Sequence, residues 1–193
     1  VSTSQRALDA MLQRQLRTEI AGDTYADLRS RYLSRVDSLF GPPGSDVALT
    51  AVYDRFVQSV QSLGTTPDSE LARGQLLGDA GVLADRVSGI SDGVQSLRLE
   101  AEQGIADAVT RLNSALSRLQ EINIKVIAES AGEREPGNLL DQRDVVLDEI
   151  AKLVDINVSH ASDNSVRVFT KSGLLLFDRE YVQMRFDPRG SLQ

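Results

Sequence analysis

A chain of 193 residues with 28 acidic against 21 basic side chains, and a formal net charge of −7, offers no basic footprint for nucleic acid or an anionic membrane surface. Cysteine is absent, which excludes disulfides, thiolate metal sites and a cysteine nucleophile together. Hydrophobic residues make up 41% but aromatic residues only 5%, a Leu, Val, Ile and Ala composition suited to helix seams rather than a ligand pocket.

From Ser4 to about Ile20 the residues Leu8, Met11, Leu12, Leu16 and Ile20 fall at helical spacing, and Gly22-Asp23 offers a break. A second helical stretch runs from Tyr25 through Leu28, Tyr32, Val36 and Leu39 to Phe40, and Gly41-Pro42-Pro43-Gly44 ends it. Ser45 or Asp46 is the expected cap of a third helix carrying Val47, Leu49, Val52, Phe56, Val60 and Leu63, stopped by Gly64.

The longest element is expected from Pro67 to Ala131, a run without internal proline. Its start is written in Thr66-Pro67-Asp68-Ser69-Glu70, with threonine as cap and proline at the first helical position. Val87, Ile90, Val94, Leu97, Ala101, Ile105, Ala108, Leu112, Ala115, Leu119, Ile122 and Val126 recur three and four residues apart, with an extra four between Ala101 and Ile105 that acts as a stutter. At about 1.5 Å per residue the helix would be roughly 90 to 100 Å long. That exceeds the expected diameter of a globular domain of this size, so the stripe needs partners from elsewhere in the chain or from other subunits.

Gly132-Glu133-Arg134-Glu135-Pro136-Gly137 reads as a loop, and Asn138 as the cap of a helix to about Asp155 with Leu140, Leu147, Ile150 and Val154 on one face. The pattern then changes to strands: Ile156 to Ser159, Val166 to Thr170, Leu174 to Phe177 and Tyr181 to Phe186, separated by turn residues at hairpin spacing. The expected fold is mainly α, an elongated helical rod or bundle with one very long helix, followed by a small antiparallel β region. Its domains are a helical rod over 1–155 and the opening, incomplete part of a β domain over 156–193. No run is apolar enough to span a bilayer, and Val1-Ser2-Thr3-Ser4-Gln5-Arg6 is not a signal peptide. The start without methionine and the stop after strand-like sequence suggest a fragment.

Candidate chemistry is sparse. The single histidine, His160, has no second ligand or nucleophile partner in the pattern and reads as an ordinary exposed side chain. The prolines of Gly41-Pro42-Pro43-Gly44 remove the amide donors a phosphate loop would need. Carboxylates at Asp141, Asp144 and Asp148 lie at helical spacing and form a solvated face, with Lys152 available four residues after Asp148. Asn138, Asp141, Arg143 and Asp144 carry a structural suspicion: a polar cluster that caps the helix, staples the loop to the rod and fixes its angle, with plain solvent exposure as the alternative.

These residues carry a resemblance. Gly137-Asn138-Leu139-Leu140-Asp141-Gln142-Arg143-Asp144 resembles the "NDLLDQRD" segment of the FlgK family of flagellar hook-associated proteins. Tyr32-Leu33-Ser34-Arg35-Val36-Asp37-Ser38-Leu39-Phe40-Gly41 is similar to its "YL..L..LFG" stretch, and Phe56 to Leu63 to its short helix before "P.S..AR", here Pro67-Asp68-Ser69-Glu70-Leu71-Ala72-Arg73. Leu119-Gln120-Glu121-Ile122-Asn123 resembles its "I..LN..I". The order and spacing of the blocks agree over roughly residues 5 to 178.

The resemblance implies a structural adaptor of the bacterial flagellum at the hook-filament junction, acting through lateral contacts between subunits. Its implied partners are the flagellar hook protein, the second junction protein and copies of itself, and its implied location is extracellular after type III export without a cleaved leader. No enzyme activity, cofactor, metal ion, small-molecule substrate, nucleic acid or membrane is expected. The polar octet, with Asn138, Leu140, Asp141, Gln142, Arg143 and Asp144, is the expected structural motif. Val87, Ile90, Val94, Leu97, Ile105, Leu112, Leu119, Ile122 and Val126 form the expected interaction stripe, left incompletely covered because the family's N-terminal start and long C-terminal helix are lacking. A helical scaffold or signalling rod of the cytosol is the alternative, disfavoured by the strands after Ile156.

Overall fold

The computed structural model describes residues 3–132 and 137–188, with side chains from Met11 onward. Four α-helices come first: α1 (Thr3–Phe40), α2 (Leu49–Thr65), α3 (Glu70–Ala131) and α4 (Gly137–Ala151). Strands β1 (Ile156–His160), β2 (Val166–Thr170), β3 (Leu175–Asp178) and β4 (Glu180–Tyr181) follow in one antiparallel sheet in sequential order. The mainly helical class with a small antiparallel sheet therefore stands.

Several boundaries differ from the sequence reading, each for a local reason. The break expected at Gly22-Asp23 does not occur. A single interior glycine costs a helix about 1 kcal/mol but removes no hydrogen bond, and proline, the stronger breaker, is absent until Pro42. Thr18 and Thr24 turn their hydroxyls back onto the carbonyls of Arg14 and Ile20, four residues earlier, so neither competes for a break. Neither Ser45 nor Asp46 caps α2; its N-cap is Ala48, without a side-chain cap, and Gly64 lies inside the last turn. Helix α3 starts at Glu70 rather than Pro67, because Ser69 caps it through Ala72 N–H at 3.2 Å. Thr66, the expected cap, instead bonds back to the Ser62 carbonyl. Asn138 lies within the first turn of α4, one residue after its start at Gly137, and the helix stops at Ala151. Within the expected loop from Gly132 to Gly137, residues 133–136 lie outside the described residues, as do the side chains of Leu8 and its neighbours.

The described chain divides into two compact units, to which α1 and α3 both contribute. One comprises the residues up to Leu28 and Gln103–Pro188; the other is Arg29–Glu102. In the second unit the buried apolar residues are few: Ala48, Val52, Ala72 and Leu97. Arg86 supplements them by donating to the Leu39 carbonyl at 2.9 Å, satisfying an orphan at the C-terminal end of α1. Gly41 is required there: its φ of +85° is left-handed, and a Cβ would stand 3.0 Å from both Ala48 Cα and the Arg86 guanidinium. Arg35 grips Glu100 with two bonds of 2.5 and 2.6 Å at the surface, and this hydrogen bonding holds the Glu100 carboxyl below its ordinary pKa.

The larger core belongs to the first unit. Leu112, Ala115, Leu116 and Leu119 of α3 pack with Val146, Leu147, Ile150 and Ala151 of α4 over Ile156, Val166, Val168, Leu176 and Phe177 of the sheet. Period-two alternation turns Ile156 in β1, and Val166 and Val168 in β2, toward the helices. Each fully buried Leu, Ile or Phe contributes about 1.5–3 kcal/mol of transfer free energy. The register pairs Ile156 with Thr170, Val158 with Val168 and His160 with Val166, so β1 and β2 are locked over five residues. The last strand expected, Tyr181 to Phe186, shrinks to Glu180–Tyr181.

Candidate functional site

Helix α4 presents its octet in two directions, since 100° per residue puts Arg143 and Asp144 on opposite margins of the face that buries Leu147. Arg143 is buried, and its Nη1 donates to the Asn164 carbonyl at 2.7 Å, in the turn between β1 and β2. Burial lowers the Arg143 pKa, with Asp144 opposing and Arg17 adding to the fall, yet a guanidinium remains charged at any physiological pH. Its bond to a carbonyl is therefore charge-assisted.

Asp144 and Asp148 turn toward α1. Arg17, only 5% exposed, donates Nη2 to Asp144 at 3.2 Å and Nε to Asp148 at 2.8 Å, and Gln13 adds Nε2 to Asp144 at 3.0 Å. The carboxylate face read as solvated, with Lys152 as its partner, is thus a docking face for α1. The rest of the octet lies outward or half-way: Asn138, Asp141 and Gln142 are exposed, Leu140 is half-buried, and Gln142 Nε2 donates to Asn138 Oδ1 at 3.2 Å.

Helix α3 contributes a second set of polar contacts along one face. Asn123, 1% exposed, accepts the Val166 N–H on Oδ1 at 3.1 Å, and Ser130 Oγ accepts from Asn164 Nδ2 at 3.1 Å. Gln120 Oε1 accepts the Tyr181 N–H at 3.3 Å. Asn113 both accepts the Met184 N–H and donates to the Met184 carbonyl, each at 2.9 Å. Arg118 adds an ion pair with Glu149 of α4. The turn at Asn164, whose φ is 61°, is consequently held from α3 by Ser130 and from α4 by Arg143.

Along the stripe of α3 the residues divide. Leu97, Leu112, Leu119 and Val126 are buried and Ile90 and Ile122 half-buried, whereas Val87 (52%), Val94 (42%) and Ile105 (47%) remain exposed. The sequence reading singled out neither Arg17 nor Gln13 or Asn113 for a role, and Asn164 entered only among the turn residues between the first two strands. Asn123 and Gln120 entered only as letters of a motif, although a polar residue four positions from Leu119 and three from Val126 is a signal of a buried, satisfied amide. No pattern local to α1 announces Arg17, because its partners are 127 and 131 residues away.

Residues 33–185 match the family described as flagellar hook-associated protein FlgK helical domain. Flagellar hook-associated protein 1 of Bacillus subtilis (strain 168) is 26% identical over 156 residues, which are 81% of this chain and 31% of that relative. Its counterpart in Salmonella typhimurium is 26% identical over 181 residues, 91% of this chain and 32% of the relative, so the chain spans about a third of the curated relatives' length. A solved structure, that of the flagellar hook junction protein FlgK from Burkholderia pseudomallei, superposes with a TM-score of 0.72 at 23% identity, over 84% of this chain and 28% of that one. The fold is shared, the matched span covers most of both units, and the chain belongs to the FlgK family of flagellar hook-associated proteins, whose helical domain it carries.

Proposed function

We propose that the protein to which this chain belongs is a structural component of the bacterial flagellum, an adaptor at the hook-filament junction that works through lateral contacts between subunits. The match of residues 33–185 to the FlgK helical domain carries this reading. Its partners in the reading are the hook protein, the second junction protein and further copies of itself, met outside the cell after export without a cleaved leader. The octet residues Asn138, Leu140, Asp141, Gln142, Arg143 and Asp144 act as a structural motif, supported by the bonds that Arg143 and Asp144 send to two different elements. The exposed part of the α3 stripe, Val87, Val94 and Ile105, supplies apolar area for such contacts. Repetition of weak contacts by helical symmetry gives a junction its strength without any single dominant residue.

Deletion of the gene in its host, followed by electron microscopy and an assay for flagellin in the medium, tests the proposal. Bare hooks with unpolymerised flagellin outside the cells are the expected result. Normal filaments and swimming, with no duplicate gene, would overturn it.

A further inference from the structure

We propose that Arg14, Arg17 and His160 form a receptor for a single carboxylate group, with His160 taking up a proton as the carboxylate binds. Alternate residues of β1 share a face, so Ile156, Val158 and His160 stand in a row. Arg14 and Arg17 of α1, three apart and hence on one side of the helix, complete the walls of a recess of about 20 Å³. That volume admits about one small-molecule oxygen, the size of water. Ile156 and Val158 supply its apolar part, beside the polar groups of Arg14, Arg17 and His160.

The charges are unevenly spent. Arg17 is committed to Asp144 and Asp148, and Arg143 to the Asn164 carbonyl, but Arg14 makes no side-chain hydrogen bond or ion pair among the described residues. Arg14 and Arg17 of α1 line the recess with His160, and the charges of Arg143 and Asp144 of α4 also reach it. Of these groups, the guanidiniums of Arg14, Arg17 and Arg143 outnumber the carboxylates of Asp144 and Asp148, a local positive excess on a chain whose net charge is −7. His160 remains an exposed side chain, as its sequence suggests, but partial desolvation and the guanidiniums of Arg143, Arg17 and Arg14 push its pKa down against the opposing charge of Asp144. An anion seated in the recess offsets the repulsion, so its binding and protonation of His160 favour one another.

A carboxylate can arrive from solution or on an acidic side chain of a second copy of this acidic chain. Because His160 is the sole histidine, its imidazole C2 proton resonance reports on the recess alone. Sodium acetate is titrated into the 193-residue chain in chloride-free buffer near neutral pH, and the same titration is run on Arg14→Gln, which experiences the same ionic strength. The expected result is a saturable movement toward the protonated position, with a midpoint in the millimolar range, weakened about tenfold in Arg14→Gln and largely retained in Arg14→Lys. Without acetate, movement with protein concentration that Arg14→Gln abolishes assigns the carboxylate to a second copy; a concentration-independent resonance together with saturable acetate binding assigns it to a free anion. A shift that is linear in acetate, or equal in the parent chain and Arg14→Gln, would overturn the proposal.

Discussion

Asn123→Ala tests whether the hairpin is held by buried polar contacts. Asn123 is 1% exposed and Val166 likewise 1%, and the bond between Asn123 Oδ1 and Val166 N–H, at 3.1 Å, lies inside the core that joins α3 to β2. Truncation removes the acceptor and leaves a buried N–H unpaired, a cost of about 1–3 kcal/mol, to which the vacated space adds. Taking about 2 kcal/mol as the central value, the melting temperature of a domain of this size falls by roughly 4–8 °C. Differential scanning calorimetry reads that fall, and amide exchange at Val166 reads its place: exchange there accelerates while amides within α2, in the other unit, keep their protection. An unchanged melting temperature with unchanged exchange at Val166 would refute the claim that this carboxamide is what satisfies the strand.

Arg17→Met leaves Asp144 and Asp148 without their cation; because both carboxylates are partly solvated, the loss is about 1 kcal/mol, and amide exchange should rise in residues 11–28 ahead of the sheet. Gly22→Ala should stabilise by about 0.5–1 kcal/mol in chemical denaturation, since a Cβ meets nothing within 4 Å and the residue is helical; a destabilised variant would restore the break. Leu119→Ala, at a fully buried position, should cost about 2–5 kcal/mol, while Val87→Ala, exposed, should stay within about 0.5 kcal/mol; equal losses would contradict the division of the stripe. The Glu100 carboxyl titrates below its ordinary value in the folded state, so its pairing with Arg35 stabilises above the unfolded-state pKa and is lost as pH falls through the folded one; Arg35→Gln should remove that acid-side slope from the unfolding midpoint.

The long helix was legible because two independent signals, the absence of proline and a sustained apolar phase, run through the same residues from Val87 to Val126. The hairpins were legible from alternation around Val166 and Val168 and from Asn164 and Gly173, which adopt φ of 61° and 89°. Local punctuation misled where its energies are small. Gly22 weakens α1 without breaking it, and of two hydroxyls three residues apart, Thr66 and Ser69, the second became the cap because the first is spent closing α2, where Thr66 is the C-cap and bonds the Ser62 carbonyl. The octet stood out as a polar cluster but its partners did not, because an arginine and aspartates on one helix give no hint that the cation for Asp144 and Asp148 comes from Arg17, far away in the chain. The final strand was misread for a related reason: Val182 N–H still donates to the Leu176 carbonyl, but beyond it the backbone bonds to α3, where Asn113 takes both polar groups of Met184.

That last contact explains how a helix can stand beside an extended chain at all. The backbone groups of α3 are consumed within the helix, so a neighbouring extended segment finds no ladder there and its own N–H and C=O groups would go unpaired. The carboxamide of Asn113 carries one acceptor and donors in a plane, as a peptide does, and exchanges two bonds of 2.9 Å with Met184 as a hydrogen-bonded pair of antiparallel residues would. Apolar burial between α3, α4 and the sheet is non-directional and fixes how far apart they lie, but it tolerates sliding. Asn113, Gln120 and Asn123 each bind a particular main-chain group and so fix where along α3 the strands sit, while Arg143 ties the Asn164 turn to α4, whatever the side chains of the segments they hold. For a subunit proposed to repeat its contacts around a helical assembly, that fixed placement matters more than the added stability, because every copy must present the same surface at the same height.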